Sequence, residues 1–213
     1  MTKRLQDHAN WGYLLQEVRR VYRTTSSGGS ARVRGHRQTV GRALDSVRRD
    51  NPPVCFPEPS ELPVCVHLDR VLDNARLATL AGFARVVERL RHRLAWRYGY
   101  EHVPQELADR YAYCELIGPR GPVVTEAIII GLVLFAPRCT YPQHSHQGIT
   151  ESYVAVSGAF SENDTGVYAP GSIILNGPGE AHRITTGVTD PCLLLYAWTG
   201  APARLRDDDL IFD

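Results

Sequence analysis

The spacing of hydrophobic positions changes near the middle of the chain. Leu5, Trp11, Leu14, Leu15, Val18 and Val21 recur at helical intervals, which predicts a helix over 3–23. The run Thr24-Thr-Ser-Ser-Gly-Gly-Ser30 then breaks the pattern. A second helix is predicted over 36–49, stopped by Asn51-Pro-Pro53. Pro52–Pro63 holds five prolines and reads as a loop wrapping a surface. Leu72–Ala95 reads as one or two helices, with Leu77, Leu80, Phe83, Val86, Val87, Leu90 and Leu94 on one face. Beyond residue 110 short strands take over: Tyr111–Ile117, Ala127–Ala136, Ser152–Val156, Val167–Tyr168, Ser172–Leu175, His182–Thr185 and Leu193–Trp198. Gly, Pro, Asn or Asp separate them, and seven such runs fit a sandwich or a barrel.

Composition adds bounds. With 213 residues, 43% of them hydrophobic, one domain with an ordinary core is expected. Five cysteines without CxxC spacing (Cys55, Cys65, Cys114, Cys139, Cys192) give neither a disulfide framework nor a cysteine-rich zinc site. The N-terminus lacks the apolar core of a signal peptide, and the longest apolar run, Ala127–Pro137, is too short to span a bilayer. A reduced, cytoplasmic, soluble protein without a membrane partner is the expectation. Net charge is +1, yet residues 1–50 carry eleven Lys/Arg against four Asp/Glu. Those arginines spread over two predicted helices without recognition-helix spacing, so no nucleic-acid partner is expected. The helices are expected instead to form a lid or a homodimer surface.

The candidate chemistry is concentrated in thirteen residues, Tyr141-Pro-Gln-His-Ser-His-Gln-Gly-Ile-Thr-Glu-Ser-Tyr153, and in His182. In an extended strand His144 and His146 point the same way, as do Glu151 and Tyr153. Three imidazoles and a carboxylate suit one divalent transition metal ion: Fe, Zn, Mn, Ni or Co. Such a set leaves coordination positions open to substrate, the layout of a catalytic site. The other histidines, His8, His36, His67, His92 and His102, are expected to be solvated or capping. Tyr153 is the candidate base, because a phenol beside a divalent cation is more easily deprotonated. Arg138, Glu180 and Arg183 read as exposed charge, and Cys114 and Cys139 as small core fillers.

The motif His-x-His-x4-Glu-x6-Gly, starting at His144, resembles the first motif of the cupin family. The run Gly171-Ser-Ile-Ile-Leu-Asn-Gly-Pro-Gly-Glu-Ala-His182 resembles the second. That resemblance implies a mainly β fold, a double-stranded β-helix (jelly-roll) barrel, with His144, His146, Glu151 and His182 as metal ligands. Thr186 stands where the second motif often has Asn. The organisation expected is a helical region over 1–110 packed outside a barrel over 111–213, both in one fold unit.

A closer resemblance rests on His-x-His-x4-Glu-x-Tyr, on Tyr111-Ala-Tyr-Cys-Glu-Leu-Ile-Gly-Pro-Arg-Gly-Pro122, on Gly131-Leu-Val-Leu-Phe-Ala-Pro137 and on Leu195-Tyr-Ala-Trp-Thr-Gly200. Over about 63–200 the chain is similar to the cupin dimethylsulfoniopropionate lyases, most like the L type and next the Q type. These enzymes release dimethyl sulfide and acrylate. The resemblance implies a metal-held substrate carboxylate, a β-elimination started by Tyr153 with Tyr141 as a second catalytic candidate, and a pocket for a small sulfonium carboxylate that includes Tyr141 and Trp198. Tyr196, two residues before Trp198 on the last strand, shares its face. An Fe(II) dioxygenase is the second enzyme class open to this ligand set, and a ligand-sensing cupin regulator the third reading.

Overall fold

The computed structural model describes residues 3–99, 103–206 and 210–212. The first apolar stripe becomes a 3-10 turn, Leu5–Asp7, and helix α1, Ala9–Thr24. Trp11, Leu14, Leu15, Val18, Val21 and Tyr22 are buried on one face of α1. Helix α2, Ala31–Asp50, starts earlier than its apolar pattern implies because Ser30 caps it, its hydroxyl accepting the Val33 N–H. It ends at Asn51, which takes a left-handed φ of 46° before two prolines. The next apolar stretch divides into α3, Leu68–Arg76, and α4, Ala81–Leu90. Leu77 falls in the break between them and is 91% exposed, so it leaves the face its spacing assigned. Leu80, Phe83, Val86, Val87, Leu90 and Leu94 keep to that face and are buried.

The short α5, Gln105–Ala108, leads into the strands: β1 (Tyr111–Gly118), β2 (Val123–Val124), β3 (Ile129–Phe135), β4 (Thr140–His146), β5 (Ile149–Ser157), β6 (Phe160–Glu162), β7 (Val167–Tyr168), β8 (Ile173–Asn176), β9 (His182–Thr186) and β10 (Cys192–Gly200). Helix α6, Pro202–Arg206, and β11, Leu210–Phe212, follow. One sheet has the order β2-β1-β3-β10-β5-β8 and the other β11-β4-β9-β6-β7. Their inner faces share one core, with Tyr141, Phe160 and Ile184 of the second sheet against Tyr153, Leu194 and Tyr196 of the first. This is the cupin jelly roll, with the N-terminal helices outside it.

The six-stranded sheet is buried on both faces. Along β10, Leu193, Leu195 and Ala197 join the core under the helices, while Leu194, Tyr196 and Trp198 turn into the barrel. Along β3, Ile130, Leu132 and Leu134 face the helices, and Ile129, Val133 and Phe135 the barrel. A strand covered on both sides reads as a continuous apolar run, which explains Ala127–Pro137. No helix among the described residues is long and apolar enough to cross a membrane.

Two differences from the sequence reading have clear causes. β4 is missing from the expected strands, since Thr140–His146 contains a proline and is mostly polar. It is a strand because those polar groups face a polar site, and because Pro142 sits where the β4–β9 register shifts, between Tyr141 and His144. The second difference is His36, expected to be solvated or capping. It is buried, and its Nε2 lies 2.9 Å from the Ser152 hydroxyl, which also meets the Tyr22 hydroxyl at 2.9 Å. Ser152 lies on the helix-facing side of β5, and these bonds tie α1 and α2 to that strand. His92 is exposed, His8 and His67 are half-buried, and His102 lies outside the described residues.

Candidate metal centre

The two sheets each contribute to one buried cluster. His144 and His146 come from β4 and His182 from β9, where it pairs directly opposite His144; Glu151 comes from β5 in the facing sheet. One donor atom from each of the four lies within 4.8 Å of every other. His182 Nε2 is 2.8 Å and His146 Nε2 3.2 Å from Glu151 Oε2. His144 Nδ1 is 2.9 Å from the Pro142 carbonyl, and His182 Nδ1 is 3.1 Å from that of Glu180. A carbonyl can only accept, so each Nδ1 carries the proton and each Nε2 presents a lone pair inward.

The centre meets the requirements of a divalent cation. The side chains of His144, His146, Glu151 and His182 are all buried, and their donor atoms converge on one point. Three imidazole nitrogens and a carboxylate oxygen converging on one buried point are a donor set suited to a divalent transition metal ion. Burial pushes the His144 imidazole down to about 4, with His182 adding to that, which favours the neutral ligand form. Burial alone would raise the Glu151 carboxyl, but the charges of His146 and His182 hold it well below its ordinary range. Burial likewise disfavours a charged His182, and the adjacent Glu151 reverses that and raises it.

The cluster opens into a cavity of about 310 Å³ whose wall is rich in tyrosine. Tyr153 lines it, with its ring centroid 6.1 Å from that of His182. Burial and then the charge of Glu151 push the Tyr153 phenol well above its ordinary value. Tyr141, whose direction strand alternation could not fix, points inward: its ring meets His144 edge-on at 4.8 Å and its hydroxyl lies 3.4 Å from that of Tyr111. Tyr196 pairs across the strands with Tyr153, and Trp198 with Glu151. Both line the cavity. Trp198 has a second task that its sequence position did not signal: its indole N–H donates to Glu151 Oε1 at 2.6 Å.

Gly131 accounts for the position of Tyr196. The two are register partners, and a Cβ on Gly131 would overlap both the Tyr196 ring and the Cys114 carbonyl oxygen. Gly158, which closes the first motif, has a φ of 73° and would collide with the Pro191 carbonyl if it carried a side chain. Thr186, in the position often held by Asn, donates to the Ala136 carbonyl at 2.8 Å and accepts the Cys139 N–H at 3.0 Å. It fastens β9 to the β3–β4 connection.

Several residues were overlooked as cavity lining: Tyr111, Tyr113 and Glu115 on β1, and Phe135 on β3. The signal was the alternation Tyr-x-Tyr-x-Glu, which puts three side chains on one face; nothing local said that the face belongs to this cavity. The charged residues set aside stay outside it. Glu180 pairs with Arg32 at 2.7 Å, Arg183 pairs with Asp164, and Arg138 reaches the Val188 carbonyl. Cys114 and Cys139 are buried, and burial lifts both thiols, that of Cys139 to about 12, as fits core fillers.

Comparison with known proteins agrees with this architecture. Residues 36–194 match the dimethylsulfoniopropionate lyase family. The chain is 53% identical over 203 residues to a candidate dimethylsulfoniopropionate lyase, DddL, of Cereibacter sphaeroides, covering 95% of this chain and 88% of that one. Among solved structures, a chain from the crystal structures of the DMSP lyases RdDddP and RnDddQII superposes with a TM-score of 0.66 at 21% identity, covering 96% of this chain and 98% of that one. The lyase DddQ of Ruegeria pomeroyi DSS-3 gives 0.62 at 21% identity, over 71% of this chain and 78% of that one. At that identity the two structures speak for the fold.

Proposed function

Because the chain belongs to the dimethylsulfoniopropionate lyase family and is a lyase, we propose that it cleaves dimethylsulfoniopropionate to dimethyl sulfide and acrylate, using a divalent metal held by His144, His146, Glu151 and His182. The observation that supports the metal requirement is the convergence of four buried donor atoms, all within 4.8 Å of one another, at the wall of an aromatic cavity. A bound transition metal in that set would supply Lewis acidity toward a substrate carboxylate.

The chain's own residues account for the rest. Tyr153 Oη, having first lost its own proton to solvent to become a phenolate, accepts the proton from the carbon α to the carboxylate. The electron pair of that C–H bond becomes the new carbon–carbon double bond, the carbon–sulfur bond breaks, and its pair leaves with sulfur as a neutral thioether. Atoms and charge balance: the zwitterion and the Tyr153 phenolate give acrylate, a neutral sulfide and the Tyr153 phenol. Burial and then Glu151's charge work against this role by holding the phenol protonated, so Tyr153 can act as base only where a cation beside it offsets them. A sulfonium offers no N–H, so the faces of Tyr141, Tyr196 and Trp198 suit it through cation–π attraction.

The elimination needs no change in oxidation state, which separates it from the dioxygenase reading. Headspace gas chromatography of metal-loaded protein with dimethylsulfoniopropionate, under argon and with a chelated control, tests it. Chelator-sensitive dimethyl sulfide with equimolar acrylate is expected. Absence of gas from folded, metal-replete protein would overturn the proposal, and product formed only in oxygen would point to the dioxygenase.

A further inference from the structure

Besides Glu151, one other carboxylate lines the cavity among the described residues. Glu115 is third in the inward set Tyr111, Tyr113, Glu115 of β1, and it is buried, at 7% exposure. It sits where the β1–β3 register shifts, between Glu115 and Ile117. The Arg120 N–H donates to Glu115 Oε1 at 2.8 Å, and Gly118 leaves room for that oxygen, since a Cβ there would overlap it. The turn 118–121 therefore fixes the direction of this side chain.

The register shows what Glu115 faces. Glu115 pairs with Gly131, Gly131 with Tyr196, and Tyr196 with Tyr153, so four residues on four adjacent strands form one row across the sheet. One end of the row is the candidate base beside the metal cluster; the other is a fixed carboxylate. Between them Gly131 has no side chain, and the Tyr196 ring lies over it as a floor. After burial, the charge of Glu115 is the largest influence raising the Tyr196 phenol, ahead of Tyr113, Cys114 and Glu151. Glu151 is engaged with His146, His182 and Trp198, whereas the bonds at Glu115 come from the backbone of its own turn; burial raises its carboxyl, and those bonds with the charges of Arg97 and Arg120 work to keep it ionised.

We propose that Glu115 is a specificity residue that supplies the counter-charge for the cationic end of the substrate, above the Tyr196 ring and opposite the carboxylate-binding metal cluster. This rests on the lyase reading. Aromatic faces alone attract a cation only modestly, and a neutral group of the same shape packs on them about as well. A fixed carboxylate distinguishes the two, because the Coulomb attraction survives in a partly dry cavity and is absent for the neutral group. The competing view is that Glu115 serves only to brace the 118–121 turn. The amide of Glu115→Gln keeps the shape and can still accept the Arg120 N–H, so it removes the charge and leaves the brace.

The experiment uses zinc-loaded protein and two inert probes, 3-(trimethylammonio)propionate and its neutral isostere 4,4-dimethylpentanoate, titrated by calorimetry, beside turnover of dimethylsulfoniopropionate. The wild type should favour the cationic probe by about tenfold or more, and Glu115→Gln should lose most of that preference. Its KM should rise by about the same factor while kcat changes little. A Gln variant of unaltered melting temperature that keeps the preference overturns the proposal. So does a wild type that binds both probes equally, a result that needs no variant to fold. If the wild type releases dimethyl sulfide while either of those results holds, only the role of Glu115 falls. If it releases no dimethyl sulfide and binds neither probe, the lyase reading falls with it.

Discussion

Trp198 donates its indole N–H to Glu151 Oε1 at 2.6 Å, across the register pair that joins β10 to β5. The bond leaves Oε2 as the oxygen that could serve a metal and fixes the carboxylate plane, while the indole ring packs 4.4 Å from His146. Trp198→Phe keeps an aromatic wall and deletes the donor. Groups of this kind typically contribute about 10–100-fold to metal affinity. The variant should therefore bind metal more weakly by about that factor, as read by competition with a chromogenic chelator. Unchanged affinity would leave Trp198 a wall residue and nothing more.

Tyr153 and His146 should fail in different ways. Tyr153→Phe removes the candidate base and no metal donor, so metal content and melting temperature should stay near wild type while kcat falls about 10²–10⁴-fold. His146→Ala removes one of four donors, and its activity should disappear together with the metal in mass-spectrometric analysis. A Tyr153→Phe enzyme that turns over at the wild-type rate would remove Tyr153 as base, and full metal occupancy in the His146 variant would contradict the ligand set.

Gly131→Ala should be costly despite its size. The new methyl meets the Cys114 carbonyl on one side and the Tyr196 ring on the other, and the carbonyl belongs to a strand that cannot give way. Overpacking of this kind costs about 1–3 kcal/mol. Urea denaturation should detect it, and any activity left should show a raised KM because Tyr196 lines the cavity. A variant as stable as wild type would mean that the ring has room to move.

His36 should make the fold acid-sensitive. Burial lowers its imidazole from 6.5 to about 4 in the native state. Between those values the unfolded chain binds a proton that the folded chain does not, so the stabilisation is complete above about pH 6.5 and is lost as pH falls toward 4, by roughly 3 kcal/mol at most. His36→Gln can still bond to the Ser152 hydroxyl without titrating. In metal-free protein its stability should fall less steeply than wild type between pH 6.5 and 4. Parallel curves would show that His36 does not carry the effect.

Much of this was legible in local sequence. The helical stripe of α1 and the alternation along β10 persist in the structure because burial of one face is a periodic demand that a linear pattern can express. The four candidate ligands could be named because a β4–β5 hairpin and a β9 strand with fixed glycines need recurrent spacing. β4 itself was harder to see. Its polar residues and Pro142 argue against a strand unless the site they face is known.

His36 escaped for a related reason: its partner, Ser152, is 116 residues away, and an imidazole on an arginine-rich helix looks solvated until the sheet beneath it is placed. Trp198 and Glu115 belong to the same class. The chain by itself determined its periodicities, its run of candidate ligands and its family likeness, all of which lie in residue order. Only the tertiary structure decided that Trp198 holds Glu151, that Tyr141 turns inward, and that Glu115, Gly131, Tyr196 and Tyr153 form a single row. Strand pairing joins residues that are distant in the chain, and register, which fixes who faces whom, is set by the packing of both sheets together.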